Sequence, residues 1–350
     1  MAHQLFPRGS CLWAWAVLTI GGVAVAQTAE APAPPGRLVD LGGYKLHLNC
    51  FGKGRPTVVL DAGMGDSSAV WALVQPELSR TTRACTYDRA GTAWSDLGPV
   101  PRTMKQEVAE LRELLRRANE SGPFILVGHS YAGLLARLYA TTFPTEVAGI
   151  VLVDSTHEST TLSLMGPGEN QPRLVRMREQ SKGRPVPPVQ TMTSSPPKMA
   201  SAEEMRQMES FLTELRKAGK LGPPFDRLPA EAQKAEFWAR THPKFSSQAE
   251  NYWPEELQAM FEERNRNPRT LGDLTLVVLA AGRLEGMPAD LQKEKEEQKQ
   301  DLARLSSNSR FIRDPGSGHH IHIENPALVL QAVRNVIEAV RTGRPLAAGE

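Results

Sequence analysis

The sequence predicts an α/β fold, a mostly parallel sheet flanked by helices and interrupted by a helical insertion. Three observations predict it. Short β-rich apolar runs that end in turn residues recur along the chain, FILVGHS and AGIVLVDS among them. Between these two lies YAGLLARLYATTFP, whose Leu134, Leu135, Leu138 and Tyr139 fall at helix spacing and whose Pro144 ends it. Strand, helix and strand in that order imply parallel strands. After Asp154 the alternation stops, and it returns only at DLTLVVLAAG, residues 273–282.

Taken in order, residues 1–26 read as a secretory signal. Arg8 precedes the apolar run CLWAWAVLTIGGVAVA, which ends in Ala24-Val25-Ala26, is short for a membrane span and suits signal peptidase. The expectation is cleavage there, loss of Cys11, export to a periplasmic or extracellular space, and no stable membrane insertion afterwards. Residues 27–37 contain AEAPAPPG, an extended linker. YKLHLNCF alternates apolar and polar residues, so His47 is expected to face solvent; PTVVLDAG and RACTYDRAG follow as strands. With FILVGHS, its helix and AGIVLVDS these form the first part of a core, 38–156.

Residues 157–271 are expected to form a helical insertion. Ser201 with Glu204 is a capping box, Met205, Met208, Leu212 and Leu215 make one apolar stripe, and Gly219 closes it. WPEELQAMFEER starts a further helix with Pro254 in its first turn. The second part of the core, 272–345, holds DLTLVVLAAG, a polar helix, the run SRFIRDPGSGHH and a last helix from Pro326 to Arg341.

Composition bounds the function. The 350 residues are 40% hydrophobic and 23% charged, as in a globular protein, and 41 basic against 39 acidic groups leave a formal charge of +2. Nothing there offers the basic surface that a phosphate backbone requires, so nucleic acid is not an expected partner. The few Cys and His show no metal-ligand spacing, and no cofactor is implied.

Chemistry points to Ser130 in VGHSYAG. It follows an apolar strand and precedes an amphipathic helix, so it occupies a sharp turn whose strained backbone needs small neighbours. Gly128 and Gly133 supply them, with Ala132 where Gly-x-Ser-x-Gly has its second glycine. A helix N-cap serine is the plainer alternative. The strand before and helix after it favour a nucleophile.

These residues, with VVLDAGMGDSSAVW (58–71), YDRAGTAWSD (87–96) and GSGHHIHIENP (316–326), resemble the α/β-hydrolase fold family. The resemblance covers residues 38–156 and 272–342 and makes the insertion a cap. It implies that His319, after Gly318 in the loop behind the last strand, is the base; His320, the next choice, and His322 are neighbours whose side chains should point elsewhere, and His129, beside the nucleophile, should diverge from it in such a turn. It implies an oxyanion hole from the backbone N–H groups of Tyr131 and Met64 and a structural role for Asp88 and Arg89 in pinning the loop below the site. It also places KLHLNC beside RACTYD, which brings Cys50 and Cys85 within disulfide range.

The acid is open between two carboxylates. In much of the family it follows the strand that here reads LTLVVLAAG, which aligns Glu285 of GRLEG; some members use the end of the strand that here reads AGIVLVDS, which is Asp154. An unpaired carboxylate ending a buried strand is costly, so Asp154 is preferred and Glu285 is the alternative. The expected activity is a serine hydrolase acting on a small-molecule carboxylic ester through an acyl-enzyme, with small amides, peptides and lactones as alternative substrates. A noncatalytic binding module on the same fold is the alternative of another class.

Overall fold

The computed structural model describes residues 31–164, 173–197, 209, 212–242, 251–284 and 286–346. The expected signal, the Ser201–Glu204 capping box with Met205 and Met208, and Glu285 lie outside them.

One sheet organises the chain. Its strands are β1 (Arg37–Asp40), β2 (Lys45–Phe51), β3 (Thr57–Asp61), β4 (Ala84–Tyr87), β5 (Phe124–His129), β6 (Val147–Val153), β9 (Thr275–Ala281) and β10 (Ser309–Asp314), while β7 (Thr161–Leu164) and β8 (Arg173–Arg176) pair separately. The spatial order is β1-β2-β4-β3-β5-β6-β9-β10. β2 pairs antiparallel with both β1 and β4, and every pairing from β4 to β10 is parallel. The sheet is therefore mostly parallel, as its crossover helices require.

Period-two alternation divides the core between the two faces. Val59, Leu126 and Ile150 point to the side covered by helices Met104–Arg117 and Ala132–Thr142, whereas Val58, Val127 and Val151 point to the side covered by helix Pro326–Thr342. Burial on both faces explains why these strands read as continuous apolar runs in the sequence. Helix Met104–Arg117 begins at Thr103, whose hydroxyl accepts the Gln106 N–H at 3.1 Å.

The strand alternation was misleading at His47. The residue is fully buried: its Nδ1 lies 2.8 Å from Asp88 Oδ2, and its ring packs against Trp94 at 4.8 Å. The segment after β4 folds back over β2 and covers the face that alternation alone would leave wet. Asp88 is bound there by partners of its own, because its second oxygen accepts the Ser68 N–H at 2.7 Å.

Cys50 and Cys85 are opposite one another in the β2–β4 register and are joined by a disulfide, with Cα atoms 4.0 Å apart. Between β6 and β9 the chain holds more than helices. β7 and β8 form an antiparallel ribbon, and helices 212–218, Ala230–Thr241 and Trp253–Arg266 follow, the first ended by Gly219 at φ +66°. Helix Trp253–Arg266 meets the core through Glu256, whose carboxylate accepts the N–H groups of Met104 and Lys105 at 2.9 and 3.1 Å. This anion caps a helix N-terminus, but burial raises its pKa to about 7. No described helix is long and apolar enough to cross a membrane.

Candidate active site

Ser130 sits where β5 turns into helix Ala132–Thr142, at φ +53°, a left-handed conformation that a non-glycine residue adopts only under constraint. The constraint comes from the neighbouring strand end: the Ser130 N–H donates to the Val153 carbonyl at 3.1 Å, and the Thr156 N–H donates to the Ser130 carbonyl at 2.9 Å. Two glycines make room for this. A Cβ on Gly128 would stand 2.5 Å from the Ala132 carbonyl oxygen, and one on Gly133 would stand 2.1 Å from Ser155 Oγ. Ala132 is fully buried and fits.

Asp154 ends β6, the next strand over, and shares the left-handed backbone at φ +41°. Its N–H donates to Leu279 of β9, and its Oδ1 accepts the Ala281 N–H at 3.1 Å. Its Oδ2 lies 2.5 Å from His319 Nδ1. Because the carboxylate accepts, the ring carries its proton on Nδ1 and leaves Nε2 with a free lone pair. Burial alone would raise the Asp154 pKa, but Lys299, with Nζ 3.2 Å from Oδ1, and the His319 hydrogen bond hold it well below the usual carboxylate range.

His319 lies in the loop after β10, which is laced to its surroundings. The Ser317 hydroxyl donates to Asp314 at 2.6 Å, the Arg283 N–H donates to the Ser317 carbonyl at 3.0 Å, and the Gly318 N–H donates to Glu324 at 3.1 Å. His319 itself is 48% exposed on its side chain. Ser130, Asp154 and His319 line one cleft of about 470 Å³ at the C-terminal ends of β5, β6 and β9, where ligands bind in open parallel sheets. A second groove, beside Arg55, Thr57 and Ser121, lies at the opposite strand ends.

The two N–H groups assigned to an oxyanion hole differ in setting. Tyr131 is buried and is the N-cap of its helix, so its N–H has no partner within that helix. Met64 is 58% exposed in the loop after β3. Arg89 braces that loop by donating to the carbonyls of Ala62 and Gly63 at 2.7 and 2.6 Å and by pairing with Asp61.

His129, His320 and His322 are neighbours of the site. His129 Nε2 donates to the backbone carbonyl of His319 at 2.9 Å, and burial pushes the His129 pKa down to about 4. His322 is fully buried against Trp71. Asp66, His129 and His320 bring one possible ligand atom each within 4.8 Å of one another. That trio already has a cation, because Arg240 pairs with the other Asp66 oxygen.

Sequence reasoning did not find Lys299. It lies in helix Ala289–Leu302, a polar stretch with no motif, and its closeness to Asp154 is produced by packing that helix beside β9. Its Nζ also donates to the Ser155 carbonyl at 2.5 Å. Glu285, the other carboxylate considered, lies outside the described residues.

A parallel sheet that presents a serine on a constrained turn, with a carboxylate-held imidazole at the same strand ends, defines a protein of the hydrolase-fold class. The chain belongs to the alpha/beta hydrolase family, whose model matches residues 58–332. It is similar to a probable transporter of Hormonema carpetanum, 28% identical over 325 residues, covering 89% of this chain and 44% of that protein. It is also similar to the 2-hydroxy-6-oxo-2,4-heptadienoate hydrolase of Pseudomonas putida, 35% identical over 122 residues, covering 34% of this chain and 44% of that one. The chain thus matches less than half the length of either relative. The fold is that of the enol-lactonase from Burkholderia xenovorans, with TM-score 0.55 at 15% identity over 86% of this chain and 100% of that one.

Proposed function

We propose that the chain is an exported serine hydrolase that cleaves small carboxylic esters. Ser130 Oγ attacks the acyl carbonyl while His319 Nε2 takes its proton, giving a tetrahedral oxyanion that the Tyr131 and Met64 N–H groups stabilise. The imidazolium then returns the proton to the leaving alkoxide. Water repeats the sequence on the acyl-enzyme and releases the carboxylic acid. Asp154 stays ionised throughout and orients the ring.

The observation that carries this reading is the 2.5 Å contact between His319 Nδ1 and Asp154 Oδ2 in the cleft that Ser130 lines. A hydrogen-bonded carboxylate at Nδ1 leaves Nε2 as the base, the arrangement an acyl-transfer serine needs. The Cys50–Cys85 disulfide supports export, since such bonds persist in oxidising compartments. A fluorophosphonate probe tests the chemistry. Labelling of the wild type at Ser130 and its loss in Ser130→Ala are expected, with hydrolysis of ester panels exceeding that of lactone and aminoacyl-amide panels. A folded protein that fails to label is a binding module, and preference for amides or lactones reassigns the bond.

A further inference from the structure

The cleft beside Ser130 contains an ammonium with no carboxylate at ion-pair distance among the described residues, Asp154 and Glu294 acting on it only from further away. Lys295 and Lys299 are four residues apart on helix Ala289–Leu302, so their ammonium groups leave one helix face toward the same cleft. Like charges at that spacing repel, and desolvation adds to the cost. Lys299 recovers it through Asp154. Lys295 does not: its Nζ donates to the Thr160 hydroxyl at 2.9 Å and reaches no carboxylate at ion-pair distance among the described residues. Burial, together with the neighbouring Lys299, draws its pKa down to about 8, so the ammonium persists at neutral pH. The other cations of the lining have partners of their own, Arg313 with Glu296 at 3.3 Å and Arg283 with Glu324.

We propose that Lys295 is an anion subsite and that the preferred substrates are acyl compounds carrying a free carboxylate near the scissile bond. This rests on the serine-hydrolase reading above. A half-buried ammonium with one neutral hydrogen-bond partner gains from a ligand anion that replaces the water it lost. A single unpaired ammonium matches a singly charged carboxylate, whereas a phosphate dianion would keep half its charge unneutralised. The subsite and the nucleophile share one cleft, so the carboxylate selects substrates and also orients the ester toward Ser130.

The test compares mono-(4-nitrophenyl) esters of succinate, glutarate and adipate with neutral isosteres of equal length in which an isopropyl group replaces the carboxyl. 4-Nitrophenyl 5-methylhexanoate, for example, is the partner of the glutarate. The wild type is expected to favour at least one half-ester in kcat/KM by about tenfold or more, the scale of a charged hydrogen bond in a partly buried site. Lys295→Met is expected to abolish that preference, chiefly through KM, and Lys295→Arg to restore part of it. Raising salt from about 0.05 to 0.5 M should erode the preference only in proteins that keep the cation. Equal rates on charged and neutral esters, or a Lys295→Met loss that is the same for both, overturns the subsite. Preference for a matched phosphate monoester overturns the carboxylate assignment. Fluorophosphonate labelling at Ser130 separates the two levels: a protein that labels but ignores charge refutes only the subsite, and one that does not label refutes both.

Discussion

Replacing Lys299 by Met should destabilise the fold at neutral pH. The Lys299 ammonium lies 3.2 Å from Asp154 Oδ1, while Asp154 Oδ2 holds His319 Nδ1 at 2.5 Å. Burial would raise the Asp154 pKa, and the Lys299 cation is the largest influence that holds it below the usual carboxylate range. At an effective dielectric constant of about 20 an attraction across that distance is about 5 kcal/mol, of which desolvation of the two groups leaves about 1–3 kcal/mol net. Stability should fall by that amount, because Asp154 loses a close partner but keeps His319 and the Ala281 N–H. A carboxyl with a depressed folded pKa contributes stability above its unfolded pKa of about 3.9, so the deficit is fully present at neutral pH. The assay is denaturant unfolding of both proteins at about pH 7 and constant ionic strength, with circular dichroism to verify folding. A folded variant as stable as the wild type, or more so, would refute the electrostatic coupling.

Other outcomes follow from the same contacts. Asp154→Asn should lower kcat by about four orders of magnitude with little change in KM, and Glu285→Gln should cost less than about tenfold; the reverse ranking in folded proteins would move the acid to the loop after β9. Burial holds the proton of Glu256 to about pH 7 when folded against an ordinary value of 4.5, so its contribution to stability is present below about pH 4.5 and is lost as pH rises toward 7. Glu256→Gln should remove that loss, so that the variant gains about 1–3 kcal/mol on the wild type between pH 5 and 8 in denaturant melts; parallel curves would contradict it. The unreduced, denatured protein should offer no alkylatable thiol at Cys50 or Cys85, and reduction should cost about 2–4 kcal/mol.

Much of the site was legible because its signals are local. The Gly128–Ser130–Gly133 spacing reports a strand–turn–helix whose close approaches only glycine tolerates, and the structure shows those approaches at 2.5 and 2.1 Å. Apolar runs buried on both faces announce parallel strands, and the pause after Asp154 announces an insertion. His47 was misread for a related reason. Alternation tells which side of a strand a residue occupies, but not whether a distant segment covers that side.

The sequence by itself determined the fold class, the position of Ser130 on its turn, and a choice of two acids and one preferred histidine, since each rests on residues within a few positions of one another. Only the tertiary structure shows that Asp154 touches His319, that Lys299 sits behind it, and that Lys295 has no carboxylate at ion-pair distance among the described residues. Asp154 and Lys299 come from strand and helix ends 145 positions apart, and His47 meets Asp88 across two antiparallel strands. Pairings of this kind arise from packing a sheet against its helices. Low-dielectric burial then makes them strong, because a desolvated charge must find a partner wherever the fold brings one.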